Sequence, residues 1–100
     1  MIYDDGQFEW DEEKAEMNRR QHGVTFSEAR EVFRDPREVV FFDHDHSEDE
    51  PRYQCIGLSG RRLLFVVYTM RGEKIRIIHA RKATKRMTRI YEEESSEDQI

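Results

Sequence analysis

The segment from Lys74 to Arg89, KIRIIHARKATKRMTR, sets one histidine among fixed cations. In an extended strand Ile75, Ile77, His79 and Arg81 share one face, and Arg76, Ile78 and Ala80 share the other. His79 and Arg81 then emerge together at the strand end, with Lys82, Lys85 and Arg86 directly after them. This brings a group that titrates near neutrality beside several permanent charges. Cleavage of RNA without a metal needs such a set: a base for the 2′-hydroxyl proton, cations for the pentavalent phosphate, and an acid for the departing 5′-oxygen. Arginine suits the phosphate role because its planar fork binds two oxygens and stays charged. Cations around His79 also tend to lower its pKa and favour the neutral base. The same residues have plainer uses. A strand-end histidine can pack or hydrogen-bond, and the arginines can form a docking surface or a solvated helix face.

Two other groups invite chemistry less strongly. In Asp43-His44-Asp45-His46 the two histidines share a face of an extended segment beside carboxylates, which would suit a divalent metal. No second ligand cluster accompanies them, so the segment reads as a solvated acidic loop with no metal and no cofactor. Cys55 lies mid-strand without an activating neighbour and reads as a small packing residue.

These residues sit on a strongly divided charge map. Residues 1–60 carry 7 basic and 16 acidic side chains, residues 61–91 carry 10 basic and 1 acidic, and residues 92–100 carry 5 acidic and none basic. The net charge of −5 therefore conceals a basic block that can attract phosphate. Ion pairs between that block and the acidic half are the alternative use of the same charges.

The elements that must position the site follow from pattern and punctuation. Phe8 to Trp10 predicts a short strand. Asp11 offers an N-cap, with Glu12 and Glu13 in a first turn where the helix dipole favours acids. That helix should end at His22-Gly23, with Gly23 as its left-handed terminator. Trp10, Lys14, Asn18 and His22 recur every four residues along one stripe, polar apart from the tryptophan, which burial alone does not explain. Thr25-Phe26-Ser27-Glu28 fits a capping box, Phe26, Ala29, Val32 and Phe33 give a helical apolar face, and Asp35-Pro36 ends it. Strands are predicted at 39–42, 52–58, 62–70 and 74–81, the later ones joined by Ser59-Gly60 and Arg71-Gly72 turns. Leu63 to Tyr68 is apolar on both faces and should be a central, doubly covered strand. Thr84 can cap a last helix to about Tyr91, with Met87, Ile90 and Tyr91 as its apolar stripe. Strands cluster and helices flank them, which predicts an α+β fold: a short N-terminal strand, two helices, a four-stranded antiparallel sheet and a C-terminal helix. Residues 1–94 form one domain in this reading. Residues 95–100 form a disordered acidic tail, and Glu92 to Asp98 are expected to fold back over the basic cleft.

Several classes are excluded. The longest apolar run, Leu63 to Tyr68, is far too short to span a membrane. The first ten residues lack the basic segment and apolar core of a secretion signal. A single cysteine permits no internal disulfide. A cytoplasmic protein is the expectation.

Phe8-Glu9-Trp10-Asp11, then Lys14, Asn18 and His22-Gly23-Val24, resembles the opening of the BrnT family of bacterial toxins. The likeness continues through Phe26, Glu28-Ala29, Val32-Phe33 and Asp35-Pro36, then Arg52-Tyr53, Ile56-Gly57, Leu63 to Tyr68, Ile75 to Ile78 and Ala80-Arg81-Lys82-Ala83-Thr84, and closes at Arg89 to Glu92. It implies a RelE-like fold and a metal-independent endoribonuclease of a type II toxin–antitoxin module that suppresses translation. It also implies a BrnA-like antitoxin that alone contacts operator DNA. The implied assembly is a 2:2 heterotetramer built on a toxin dimer, whose partner would cover the second face of Leu63 to Tyr68. Arg81 matches a family position, and Trp10, Lys14 and Arg86 match recurring ones. On that basis Arg81 and Arg86 hold the scissile phosphate, and Lys14 and Trp10 complete the cleft; His79, where this sequence departs from the serine of many relatives, is the general acid or base on chemical grounds. Lys82, Lys85 and Arg89 would follow the RNA backbone, with bases stacked on Trp10 or Tyr91. Two other classes stay open here: a non-enzymatic inhibitor like the ParE-like toxins, and a nucleic-acid-binding or regulatory module without cleavage.

Overall fold

Asp11 starts the first helix as its chemistry dictates. Its carboxylate accepts hydrogen bonds from the Glu13 and Lys14 backbone N–H groups, and Gly23 closes the far end at φ 68°. The computed structural model describes residues 1–97, with side chains to Glu94. In chain order the elements are β1 (Ile2–Asp4), β2 (Phe8–Asp11), α1 (Glu12–His22), α2 (Phe26–Ala29) with a 3₁₀ turn at Arg30–Arg34, and β3 (Val39–Phe42). A 3₁₀ turn at His44–His46, β4 (Tyr53–Ser59), β5 (Arg62–Arg71), β6 (Lys74–Lys82) and α3 (Lys85–Glu97) follow.

The strands form one six-stranded sheet in the order β1-β2-β6-β5-β4-β3. This corrects the four-stranded antiparallel sheet expected from the sequence. β3 to β6 make the predicted antiparallel meander. β2, however, joins β6 in parallel, with Phe8 beside Ile75 and Glu9 beside Arg76. β1, too short to leave a sequence signal, folds back on β2. Its turn is held by the Asp5 carboxylate, which accepts from the N–H groups of Gln7 and Phe8. A parallel pair requires a long crossover, and here the whole intervening chain is that crossover, so no local pattern announces it.

The main core lies between one sheet face and the two N-terminal helices. Phe26, Ala29 and Val32 pack there against Leu64 and Val66 of β5 and Ile77 and Ala80 of β6. α3 crosses the other face near β3 and β4, begun by Thr84, whose hydroxyl accepts from the Met87 N–H at 3.2 Å. Tyr91 docks this helix by donating its hydroxyl to Asp35 at 2.6 Å. Phe65 is consequently only 8% exposed within the single chain. The second face of β5 is thus covered in part by the chain itself, where the sequence reading assigned the cover to a partner.

α3 also outruns its expected end at Tyr91 and continues to Glu97. Glu92, Glu93 and Glu94 are exposed helical residues, not a strap folded back over the basic surface. The tail read as 95–100 thus begins as helix, and its last three residues lie outside the described residues.

Candidate active site

β6 carries the cluster, and a bulge decides which way it faces. Val67 of β5 lies opposite His79 while Tyr68 lies opposite Ile77, so Ile78 is the extra residue. Strict alternation would put His79 on the face of Ile77, which is the core face. The bulge reverses the phase. Ile75, Ile77 and Ala80 turn to the core, and His79 and Arg81 emerge on the opposite face beside Val67 and Phe65.

The outer edge of β6 is held by a side chain. β2 accompanies β6 only as far as Arg76. Beyond it, Asn18 of α1 takes the place of a strand. Its Nδ2 donates to the Ala80 carbonyl at 2.7 Å and to the Val24 carbonyl at 2.9 Å, while its Oδ1 accepts from the Ala80 N–H at 3.1 Å. This accounts for one member of the polar stripe along α1. Another, His22, meets His79 edge to face with ring centroids 4.8 Å apart.

His79 and Arg81 line an open depression of about 360 Å³ together with Arg52, Gln54, His46 and Asp43. Phe65 forms part of its floor, with the Arg81 guanidinium carbon 5.2 Å from the centre of its ring. A second depression of about 310 Å³ adjoins it, sharing Gln54 and Phe65 and lined further by Arg86, Met87, Ile90 and Phe41. His79 is half-buried, and its pKa is held below the ordinary histidine value, first by burial and then by His22 and Arg81. Burial pushes Asp43 the other way, but hydrogen bonds from His46 and Gln54 more than offset it and hold the carboxyl below its usual range.

The charges of the basic block divide into two groups. Arg62 pairs with Glu28, Lys74 with Asp4, Arg76 with Glu9 at 2.8 Å and Arg71 with Glu50 at 3.3 Å. Those cations stitch the two halves of the molecule together. Arg61, Arg81, Lys82, Lys85, Arg86 and Arg89, with Arg52 from β4's entrance, make no ion pair with an acid among the described residues. Both readings of the charge map therefore apply, each to a different part of the block.

The structure thus brings His79 and Arg81 together, with Arg86 in the adjoining hollow and Lys82, Lys85 and Arg89 exposed around them. Three expected members lie elsewhere. Trp10 is 5% exposed, stacked on Tyr3 at 4.1 Å and edge-on to Phe26, so its faces are closed to a base. Lys14 lies by Asp11 at the start of α1, about 12 Å along the helix axis from His22. Tyr91 is half-buried and bound to Asp35. Asp43, His46 and Arg52, by contrast, join the site without having been expected there. The acidic run was read as solvated. Its one usable signal was the i, i+3 spacing of Asp43 and His46, which a single helical turn brings together: His46 Nδ1 lies 3.1 and 3.2 Å from the two Asp43 oxygens. Among the described residues no three histidine, cysteine or acidic side chains are grouped as metal ligands are.

Fold and site define a small α+β protein that presents an open, cationic, histidine-bearing surface on one sheet face, suited to a phosphate backbone. The chain belongs to the BrnT family: the family described as the ribonuclease toxin, BrnT, of type II toxin–antitoxin systems matches it over residues 10–86, from β2 into the start of α3. Membership implies an antitoxin partner. No curated protein matches the chain. No helix among the described residues is long and apolar enough to cross a membrane.

Proposed function

We propose that the protein is a metal-independent endoribonuclease toxin that cuts RNA in the His79–Arg81 depression and so inhibits translation. One observation carries this reading. A half-buried histidine held toward its neutral form shares an open hollow with two guanidinium groups that make no ion pair with an acid among the described residues. His79 takes the proton of a ribose 2′-hydroxyl, and the 2′-oxygen attacks the adjacent phosphorus. The P–O5′ bond breaks, leaving a 2′,3′-cyclic phosphate on one product and a 5′-hydroxyl on the other. Arg81 and Arg52 hold the phosphate and its developing charge. Arg86 takes a neighbouring phosphate, and Lys82, Lys85 and Arg89 follow the backbone. An open sheet face of this kind suits single-stranded RNA, whose backbone can lie along it.

A sheet with helices on one face and α3 across the other supports a RelE-like scaffold, a single domain over residues 1–94 with the end of α3 running past it. Its substrate places the protein in the cytoplasm. The antitoxin of this reading is BrnA-like, in a 2:2 assembly, and reaches operator DNA on the toxin's behalf. The β3 edge offers it a surface, because Val40, Phe41 and Phe42 are exposed on a strand with no outer strand neighbour among the described residues.

The test is cleavage of RNA in EDTA by the wild type and by Arg81→Ala, expected to fall about 100-fold or more. Equal rates would remove the phosphate site from Arg81. Growth arrest on induced expression with RNA left intact would favour ParE-like inhibition instead.

A further inference from the structure

We propose that His46, oriented by Asp43, is the acid that protonates the departing 5′-oxygen, facing the base His79 across the same depression. This rests on the ribonuclease reading of that hollow and assigns the half of the reaction that His79 leaves open.

The sheet register places the two groups. Gln54 of β4 lies opposite Val67 of β5, and Val67 lies opposite His79 of β6, so the three form a row across the sheet. Two strand spacings of about 4.8 Å separate the backbones of Gln54 and His79 by roughly 10 Å. The Gln54 side chain hydrogen-bonds the Asp43 carboxylate, which in turn holds His46. The base thus stands at one end of the row and the Asp43–His46 pair at the other. Both imidazoles line the one hollow, so a phosphodiester seated in it lies between them. Arg81 lies two residues beyond His79 and Arg52 two before Gln54, so a guanidinium flanks each end.

The loop is built to hold this pair. The Asp43 N–H donates to the Arg52 carbonyl at 2.8 Å, the Ser47 hydroxyl donates to the Asp43 carbonyl at 2.5 Å, and that hydroxyl accepts from the Arg52 N–H at 2.9 Å. Asp43 is 7% exposed, whereas the His46 side chain is 67% exposed. Asp43 occupies Nδ1 of His46, which leaves Nε2 to carry the proton that is given up.

The two ends of the hollow differ in charge. Asp43 holds His46, with Asp45, Glu48, Asp49 and Glu50 in the same loop, Arg52 beside them, and Arg81 and His79 across the hollow. At the other end burial, His22 and Arg81 oppose protonation of His79. A carboxylate-held imidazole facing one flanked by a cation is an arrangement that acid–base pairs use. In the balanced step His79 gains the 2′-hydroxyl proton as the 2′-O–P bond forms. His46 Nε2 loses its proton to O5′ as the P–O5′ bond breaks, and bulk water resets both rings.

The experiment compares an RNA oligonucleotide that the wild type cuts with the same oligonucleotide carrying sulfur in place of the 5′-bridging oxygen at the cut linkage. A thiolate leaves without being protonated, so the sulfur substrate needs no acid. His46→Ala should lose about 100-fold or more on the oxygen substrate and recover to near wild type on the sulfur substrate. His79→Ala should lose on both. Asp43→Asn should weaken cutting of the oxygen substrate but spare the sulfur substrate, because its His46 loses the carboxylate that orients it. His46→Ala at the wild-type rate on oxygen, or equally impaired on both substrates, overturns the assignment while leaving the ribonuclease reading intact. A wild type that cuts no RNA overturns both.

Discussion

Asn18→Ala should be the most damaging single truncation in α1, and the reason lies in β6. Asn18 is 5% exposed and its amide closes three hydrogen bonds, two with Ala80 and one with the Val24 carbonyl. Ala80 is wholly buried, so its N–H and carbonyl, turned away from β5, have no water to replace the amide. Each bond contributes about 1 kcal/mol net, and each buried group left unpaired costs about 1–3 kcal/mol. Allowing for relaxation, the loss should be about 3 kcal/mol, a large share of the roughly 5–15 kcal/mol that holds a domain of this size. The melting temperature should fall by about 15 °C. Urea unfolding followed by the fluorescence of Trp10, the single tryptophan and a buried one, measures it. Asn18→Asp separates hydrogen bonding from packing. It keeps the acceptor for Ala80 N–H but sets a carboxylate against two carbonyls, so its pKa is raised. The stability it retains is present when the carboxyl is protonated and is lost as pH rises through that raised value. A loss below about 1 kcal/mol for Asn18→Ala would refute the argument that this amide stands in for a strand.

Three further outcomes follow from the same geometry. The His79 pKa lies below 6.5, so the acid limb of kcat/KM should have its midpoint below 6.5, and His22→Gln should move it upward by removing one of the groups that oppose protonation. In stability terms His79 protonates more readily when unfolded, so its contribution is full above 6.5 and is lost as pH falls toward the folded value, which a pH series of urea melts checks. Tyr91→Phe deletes the 2.6 Å bond to Asp35 and should cost about 1 kcal/mol in denaturant melts; a neutral result would mean that α3 is docked by Met87 and Ile90 alone. Gly57→Ala sets a Cβ 2.7 Å from Val32 Cγ1 and 3.2 Å from the Val32 carbonyl, and should cost about 2 kcal/mol as the 3₁₀ turn is pushed off β4.

The helices and most strands were legible because their signals are local. Asp11, Gly23, Thr25 and Thr84 each act within one turn of their own backbone, and each sits where its side chain or its φ requires. The polar stripe of α1 was visible as an anomaly, but the sequence offered no partner for Asn18, because Ala80 lies 62 residues away. Trp10 and Tyr91 were open to two uses from their types alone. Packing against Tyr3 and Phe26, and the bond to Asp35, select one use for each.

Residue order and type were enough to establish the α+β class, the cationic stretch from Arg81 to Arg89, and the adjacency of His79 to Arg81, since all of these depend on neighbours in the chain. Long-range pairing settled the rest. The parallel union of β2 with β6 extended the sheet, and the bulge at Ile78 turned His79 away from the core. The pairing of Arg62, Arg71, Lys74 and Arg76 with acids separated structural cations from available ones. The β3–β4 loop carried Asp43 and His46 to the face that β6 presents. None of these has a local signature, because each is decided by which backbone edges and charges meet once distant segments are packed together.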